Sequence, residues 1–265
     1  VTDLAPTAIA ELEELADGLR RRADVDARVH ATRKGIKRLR AFLRLARRSV
    51  GKNTYRMENT TLRDAARLIA PARDALVLIE TAAAVGAPDA VLAVLAASHR
   101  EAIAALESGI RTEAADLLRS AAARWRYVAW GGPGAASVRV GLRETYSRGL
   151  ADLAGVRSDP TDVGFHGWRR RVKYIRYQLE TVGAPPAFTR PFTLLGDDLG
   201  LEHDHTVLID VCRTHAIEAG FGFVAEAAER HRDGLRASAL ELGSSLFAPE
   251  PEAYLRTVES LVDLS

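Results

Sequence analysis

Apolar residues recur along the chain at steps of three and four, as in Ile9, Leu12, Leu15 and Leu19, the period of a helix with one buried face. No alternating apolar stretch is long enough for a convincing strand. The pattern predicts helices over residues 7–22, 26–50, 54–69, 74–85, 88–106 and 111–125, then 137–154, 161–182, 188–199, 204–219, 221–242 and 251–264. Gly51, Gly86 and Gly109 fall near predicted helix ends, where glycine closes a helix without steric cost. Asp74 and Asp204 stand where an aspartate would cap the helix that follows. The Gly-Gly-Pro-Gly run inside residues 130–136 continues neither helix nor strand, so it divides the chain into halves, 1–130 and 131–265. The expected fold class is all-α.

The halves repeat one another. His30-Ala-Thr-Arg33-Lys34-Gly-Ile36-Lys37-Arg38-Leu39-Arg40 aligns with His166-Gly-Trp-Arg169-Arg170-Arg-Val172-Lys173-Tyr174-Ile175-Arg176. Further on, Arg73-Asp74-Ala-Leu-Val77-Leu78-Ile79-Glu80 aligns with His203-Asp204-His-Thr-Val207-Leu208-Ile209-Asp210. Two matches in the same order, after comparable intervals, point to two similar antiparallel helical bundles packed about a pseudo-twofold axis, since two repeats are too few for a solenoid.

Charge sharpens this picture. The formal net charge of +2 hides a segment from Ala27 to Met57 that has no Asp or Glu and is dense in Arg and Lys. On a helix, His30, Arg33, Lys37, Arg40, Arg44 and Arg47 form one stripe, and Val29, Ile36, Leu39, Leu43, Ala46 and Val50 form an apolar stripe about 110° away. In the second half His166, Arg169, Lys173 and Arg176 stand about 115° from Trp168, Val172, Ile175 and Leu179, in the same rotational sense. Solvated helix faces mix signs, because like charges one turn apart cost about 0.2–0.5 kcal/mol per pair. A stripe without acids, rich in the planar Arg fork and repeated in both halves, favours a bound polyanion. Lys52 lies beyond the stripe.

Composition removes several classes. Of 265 residues 47% are hydrophobic and 27% charged, and no apolar run reaches membrane-spanning length, so a soluble globular protein is expected. Cys212 is the single cysteine, which excludes an internal disulfide or a Cys-based zinc site and suits a cytoplasmic protein. The first residues show no secretory leader.

Other chemistries compete for the same residues. His203, His205 and His215 raise the question of a metal. His166, His203-Asp204 and Asp210 loosely imitate the ligand order of helical metal phosphohydrolases, although Arg169 and Lys173 would repel a divalent ion. His30 and His166, beside several cations, are expected to stay neutral. Trp168, Tyr174 and Tyr177 interleave with the second stripe, as in proteins that stack bases, although Trp168 shares the apolar stripe. RNA or DNA binding through the basic faces is the third alternative, without a recognised nucleic-acid motif.

The two His-to-Arg segments, 29–40 and 165–177, resemble the signatures of the CHAD family, the conserved histidine α-helical domain, and the resemblance spans nearly the whole chain. It implies two helical bundles about a pseudo-twofold axis, binding of inorganic polyphosphate by basic residues between them, and location at polyphosphate granules, with no catalytic residue, cofactor or metal. His30, Arg33, Lys34, Lys37, Arg38 and Arg40 match the first signature, His166, Arg169, Arg170, Lys173 and Arg176 the second, and Arg73 a later Arg-Asp element. With Arg44 of the first stripe added, these form the expected polyphosphate-binding set. The second half departs by carrying His203 opposite Arg73 and Tyr174 opposite Arg38.

Overall fold

The computed structural model describes residues 4–21, 23–128, 130, 135–215, 217–262 and 264. The predicted boundary falls mostly on residues 131–134, outside them, as do Arg22, Ala216 and Asp263 within predicted helices. The described chain is helical: α1 (Leu4–Arg20), α2 (Val25–Leu45), α3 (Arg47–Val50), α4 (Lys52–Leu68), α5 (Ala70–Ala84), α6 (Asp89–Ala105), α7 (Arg111–Trp125), α8 (Ala135–Ser158), α9 (Asp162–Thr181), α10 (Pro186–Thr214), α11 (Phe221–Leu246) and α12 (Pro251–Leu261). A π-helical turn, Leu106–Ile110, links α6 to α7 and kinks at Gly109, whose φ of 130° excludes ordinary side chains. Gly51 and Gly86 also have positive φ, as expected of glycines at helix ends.

Two predicted helices prove to be one. Residues 188–199 and 204–219 lie in or run just past α10, a single helix of 29 residues and about 43 Å. The predicted break rests on Asp204 as a cap, but α10 runs through it without interruption, and Gly196 lies against α9, where a Cβ would make ordinary contact with Val172 and Lys173. Asp204 is therefore mid-helix and not an N-cap. Asp74 likewise lies one turn inside α5, which begins at Ala70 with Pro71 in its first turn. In contrast, Thr161 caps α9, its Oγ1 accepting the Gly164 N–H at 3.2 Å. The long helix predicted over 26–50 breaks at Ala46 into α2 and the short α3.

Three apolar clusters hold these helices together. The first joins α1, α2, α4 and α7 around Leu12, Leu19, Ile36, Leu43, Leu62 and Trp125. The second joins α8, α9, α10, α11 and α12 around Trp168, Val172, Leu195, Phe247 and Tyr254, and it also takes in Leu45 from the end of α2. The third crosses between the halves: Ala82, Val85, Val91 and Leu95 of the α5–α6 hairpin pack on Leu208, Ile209 and Cys212 of α10 and Phe221 and Val224 of α11. Both apolar stripes do what their spacing implies. Val29, Ile36, Leu39, Leu43 and Ala46, and Trp168, Val172, Ile175 and Leu179, are buried. Trp168 is thus core, its ring tip so close to Gly243 of α11 that any Cβ there would collide at 2.5 Å. These placements are compatible with two related bundles, and α2 lies directly against α9.

Candidate functional site

Because each apolar stripe is turned into its own bundle, the basic stripes about 110° away are left to face the seam where α2 meets α9. Lys37 of α2 lies beside Arg169 of α9 and Arg33, and Lys173 lies beside Arg169 and Lys37. These cations are half-buried. Lys37, Arg169 and Lys173 form no salt bridge among the described residues, and Arg169 Nε is a buried donor without a partner there. Burial first, and then the neighbouring Arg169, push the Lys37 ammonium down to about 8 and that of Lys173 down to about 7, against Asp204 and further acids. The cations of this group outnumber the acids that reach them.

One acid enters the group. Asp204 comes from the middle of α10, and burial raises its carboxyl although Arg169, Lys173, Lys37 and Arg73 pull the other way. Its counterpart in the repeat, Asp74, binds Arg33 at 3.0 Å. The neighbouring His203 touches His166, Nδ1 to Nδ1 at 3.3 Å. Burial, Arg169, His166 and the two lysines push His203 down to about 3, and burial followed by Arg169 and Arg170 lowers His166. Both rings are therefore neutral at pH 7, so one donates its Nδ1–H and the other accepts. His30 is lowered too, by burial and then Arg73 and Lys37. Arg73 itself is held by Glu80 at 3.1 Å.

The other expected residues spread outward from this centre. Arg40 donates to Asn59 at 3.0 Å. Arg44 lies 4.1 Å over the Tyr174 ring. Burial would raise the Tyr174 hydroxyl, but Arg44 and Arg40 overcome it and the net shift is downward. Lys34 and Arg170 are exposed. Two residues are already engaged by acids: Arg38 is turned to Glu11 of α1, and Arg176 donates to Glu180 at 2.8 Å and stands 3.8 Å from Asp197. Sequence reasoning missed Arg171 and Arg148, which lie near one another and near Arg44 and Arg170. Neither falls on a repeated stripe, so only the packing of α8 beside α2 and α9 reveals them.

The family model of the CHAD domain matches residues 4–213. The chain belongs to the CHAD family. Its fold is shared with the crystal structure of the CHAD domain from the plant Ricinus communis, at a TM-score of 0.58 and 19% identity, over 97% of this chain and 88% of that one. No curated protein matches the chain. The signature segments of this CHAD domain thus supply the α2–α9 seam, and the later aligned elements supply Asp74 and Asp204 on its flank.

The remaining histidines do not join the seam. His205 donates through Nδ1 to the Leu201 carbonyl, 2.8 Å away, and stacks on His231, while His215 binds Glu218 at 2.6 Å. Asp210 faces Arg213. Among the described residues no set of three or more His, Cys, Asp or Glu side chains is arranged to hold a metal ion. Nor is any helix among them long and apolar enough to cross a membrane.

Proposed function

We propose that this CHAD domain binds inorganic polyphosphate at the α2–α9 seam and acts as a binding module, directing the protein to polyphosphate granules in the cytoplasm. The observation that carries this reading is the half-buried trio Lys37, Arg169 and Lys173, which has no salt-bridge partner among the described residues. A chain of closely spaced phosphates offers several oxygens to such a row of N–H donors, and charge-assisted bonds to those oxygens are strong. Nothing in this role requires a nucleophile or a general base.

RNA would satisfy the same charges, but its bases need aromatic faces. Trp168 and Tyr177 are buried and Tyr174 carries Arg44 on its ring. Long-chain polyphosphate should therefore outcompete RNA of equal charge at both low and moderate salt, as read by fluorescence anisotropy. Equal or tighter RNA binding would overturn the assignment.

The contact of His166 with His203 beside Asp204 is what favours a hydrolase. Its cationic surroundings oppose a divalent ion, so added Mg²⁺, Mn²⁺ or a chelator should leave phosphate release from polyphosphate at background. Metal-dependent turnover that Asp204→Asn abolishes, in a folded protein, would establish the enzyme instead.

A further inference from the structure

Lysine is rare in this chain. Of its 37 basic residues 33 are arginine, and the four lysines are Lys34, Lys37, Lys52 and Lys173. Lys34 and Lys52 are exposed, whereas Lys37 and Lys173 are half-buried and occupy the same place in the aligned segments of the two halves. An arginine would serve a phosphate ligand at least as well, because its fork bonds two oxygens at once and it stays charged. What lysine offers and arginine does not is an amine that can shed its proton and attack carbon.

The surroundings of Lys173 suit that chemistry. Its stem lies along a glycine face of α10: a Cβ at Gly196 would stand 3.7 Å from Lys173 Cγ, and one at Gly200 would stand 3.7 Å from Nζ. Apart from its own helix backbone and chain neighbours, a Cβ at Gly200 would meet nothing else within 4 Å, so the missing side chain leaves open space beside the amine. Lys37 of α2 and Arg169 of α9 face this amine, as do Asp197, Asp204 and His203 of α10. Burial and the two cations outweigh the acids and hold the ammonium down to about 7, so much of the amine is free at neutral pH. Arg169, one turn earlier on the same helix, keeps its buried Nε donor without a partner among the described residues. A phosphate leaving group formed here meets cations already in place.

We infer that Lys173 is an acylation site whose donor is a small acyl phosphate, and that its acylation switches polyphosphate binding off. This rests on the seam being a phosphate site: the cations draw in the phosphate half of the donor, which brings its acyl carbon to the amine. The Lys173 nitrogen attacks that carbon and the bond from the carbon to the bridging oxygen breaks. Inorganic phosphate departs with the electron pair and takes up the proton that the amine loses. The product is a neutral amide in place of a seam cation, so one charge-assisted bond to the polymer is gone.

The test treats the full protein with acetyl phosphate, maps the acetyl groups by peptide mass spectrometry, and measures polyphosphate affinity by anisotropy once the reagent is removed. Lys173 should be acetylated about tenfold faster than the exposed Lys34 and Lys52, and tripolyphosphate should protect it. Affinity for polyphosphate should then fall about 10- to 100-fold. The N-hydroxysuccinimide ester of acetate has no phosphate to be drawn in and should lose the preference for Lys173. The same preference with that ester would overturn acyl phosphate as the donor class. Lys173→Arg has no amine to acylate at this position, so treatment should leave its affinity where it stood before treatment, whatever the other lysines take up. Acetyl phosphate labelling Lys34 and Lys52 ahead of Lys173, or an acetylated Lys173 with undiminished affinity, would overturn the switch and leave the seam reading standing. Absence of polyphosphate binding in the untreated protein would remove both readings together.

Discussion

Replacing Lys37 and Lys173 by methionine should abolish polyphosphate binding and, in the same protein, raise its melting temperature. Both effects come from one cause. The two ammonium groups are half-buried against one another and against Arg169, so the free protein bears their desolvation and repulsion with only partial compensation from Asp204, Asp74 and Asp197. Methionine keeps most of the side-chain volume and replaces a half-buried charge by an apolar group; the related replacement of buried ion clusters by apolar residues is often neutral or stabilises by about 1–4 kcal/mol. In a chain of this size each kcal/mol raises Tm by about 2–4 °C. Binding should respond in the opposite sense. Each lost charge-assisted bond costs about 1.5–3 kcal/mol, so the double variant should lose roughly two to four orders of magnitude in affinity. Arg176→Ala is the comparison that gives this meaning. Arg176 stands on the same α9 stripe but is already held by Glu180, so its loss should cost much less. Differential scanning fluorimetry and titration on one preparation measure both quantities. A double variant that is less stable and binds normally would show that the lysines are structural.

The sequence carried the seam further than the details around it. Helical period placed the apolar stripes correctly, and the repeat showed that Arg33, Lys37, Arg169 and Lys173 are equivalent in kind. Once each apolar stripe enters its own bundle, the basic stripes have little choice but to meet where α2 crosses α9. What was not legible depends on contacts between distant segments. The predicted break before Asp204 rests on local capping chemistry alone, yet α10 runs unbroken through it, packed along α9 and α11. Asp204 was therefore misread as a cap, when its mid-helix position is what brings a carboxyl to the cations. Arg38 sits within the signature, but Glu11, 27 residues earlier, turns it toward α1. For Arg176 a local sign existed, since Glu180 follows at i+4, the spacing of a helix ion pair. The third core, shared by residues on both sides of the predicted boundary, has no counterpart in the period of either half.

Affinity for polyphosphate should fall as pH rises through the range in which Lys173 and then Lys37 lose their protons. The free protein holds these groups at about 7 and about 8, well below the ordinary lysine value of 10.5. A bound polyanion supplies the missing negative charge and returns both toward that value, so the complex holds more protons than the free protein at any pH between. Binding above pH 7 must then take up protons, and linkage makes the association constant fall with pH. The expected loss between about pH 6.5 and pH 9 is roughly 10- to 100-fold, less than full neutralisation of both lysines would give because solvent screens part of the coupling. Folding of the free protein should move the other way. The unfolded chain keeps both lysines charged up to about 10.5, so it binds more protons than the native state from about pH 7 upward, and native stability rises with pH in that window. His30, His166 and His203 are all lowered from the ordinary histidine value in the folded protein, which separates their titration from that of the two lysines. Calorimetry in buffers of different ionisation enthalpy counts the protons directly, with about one expected per binding event at pH 8. Lys37→Arg/Lys173→Arg keeps the charges but moves their titration out of range, so its affinity should be nearly flat with pH. A flat profile in the unmodified protein, with no proton uptake, would mean that the lysines of the seam do not meet the ligand.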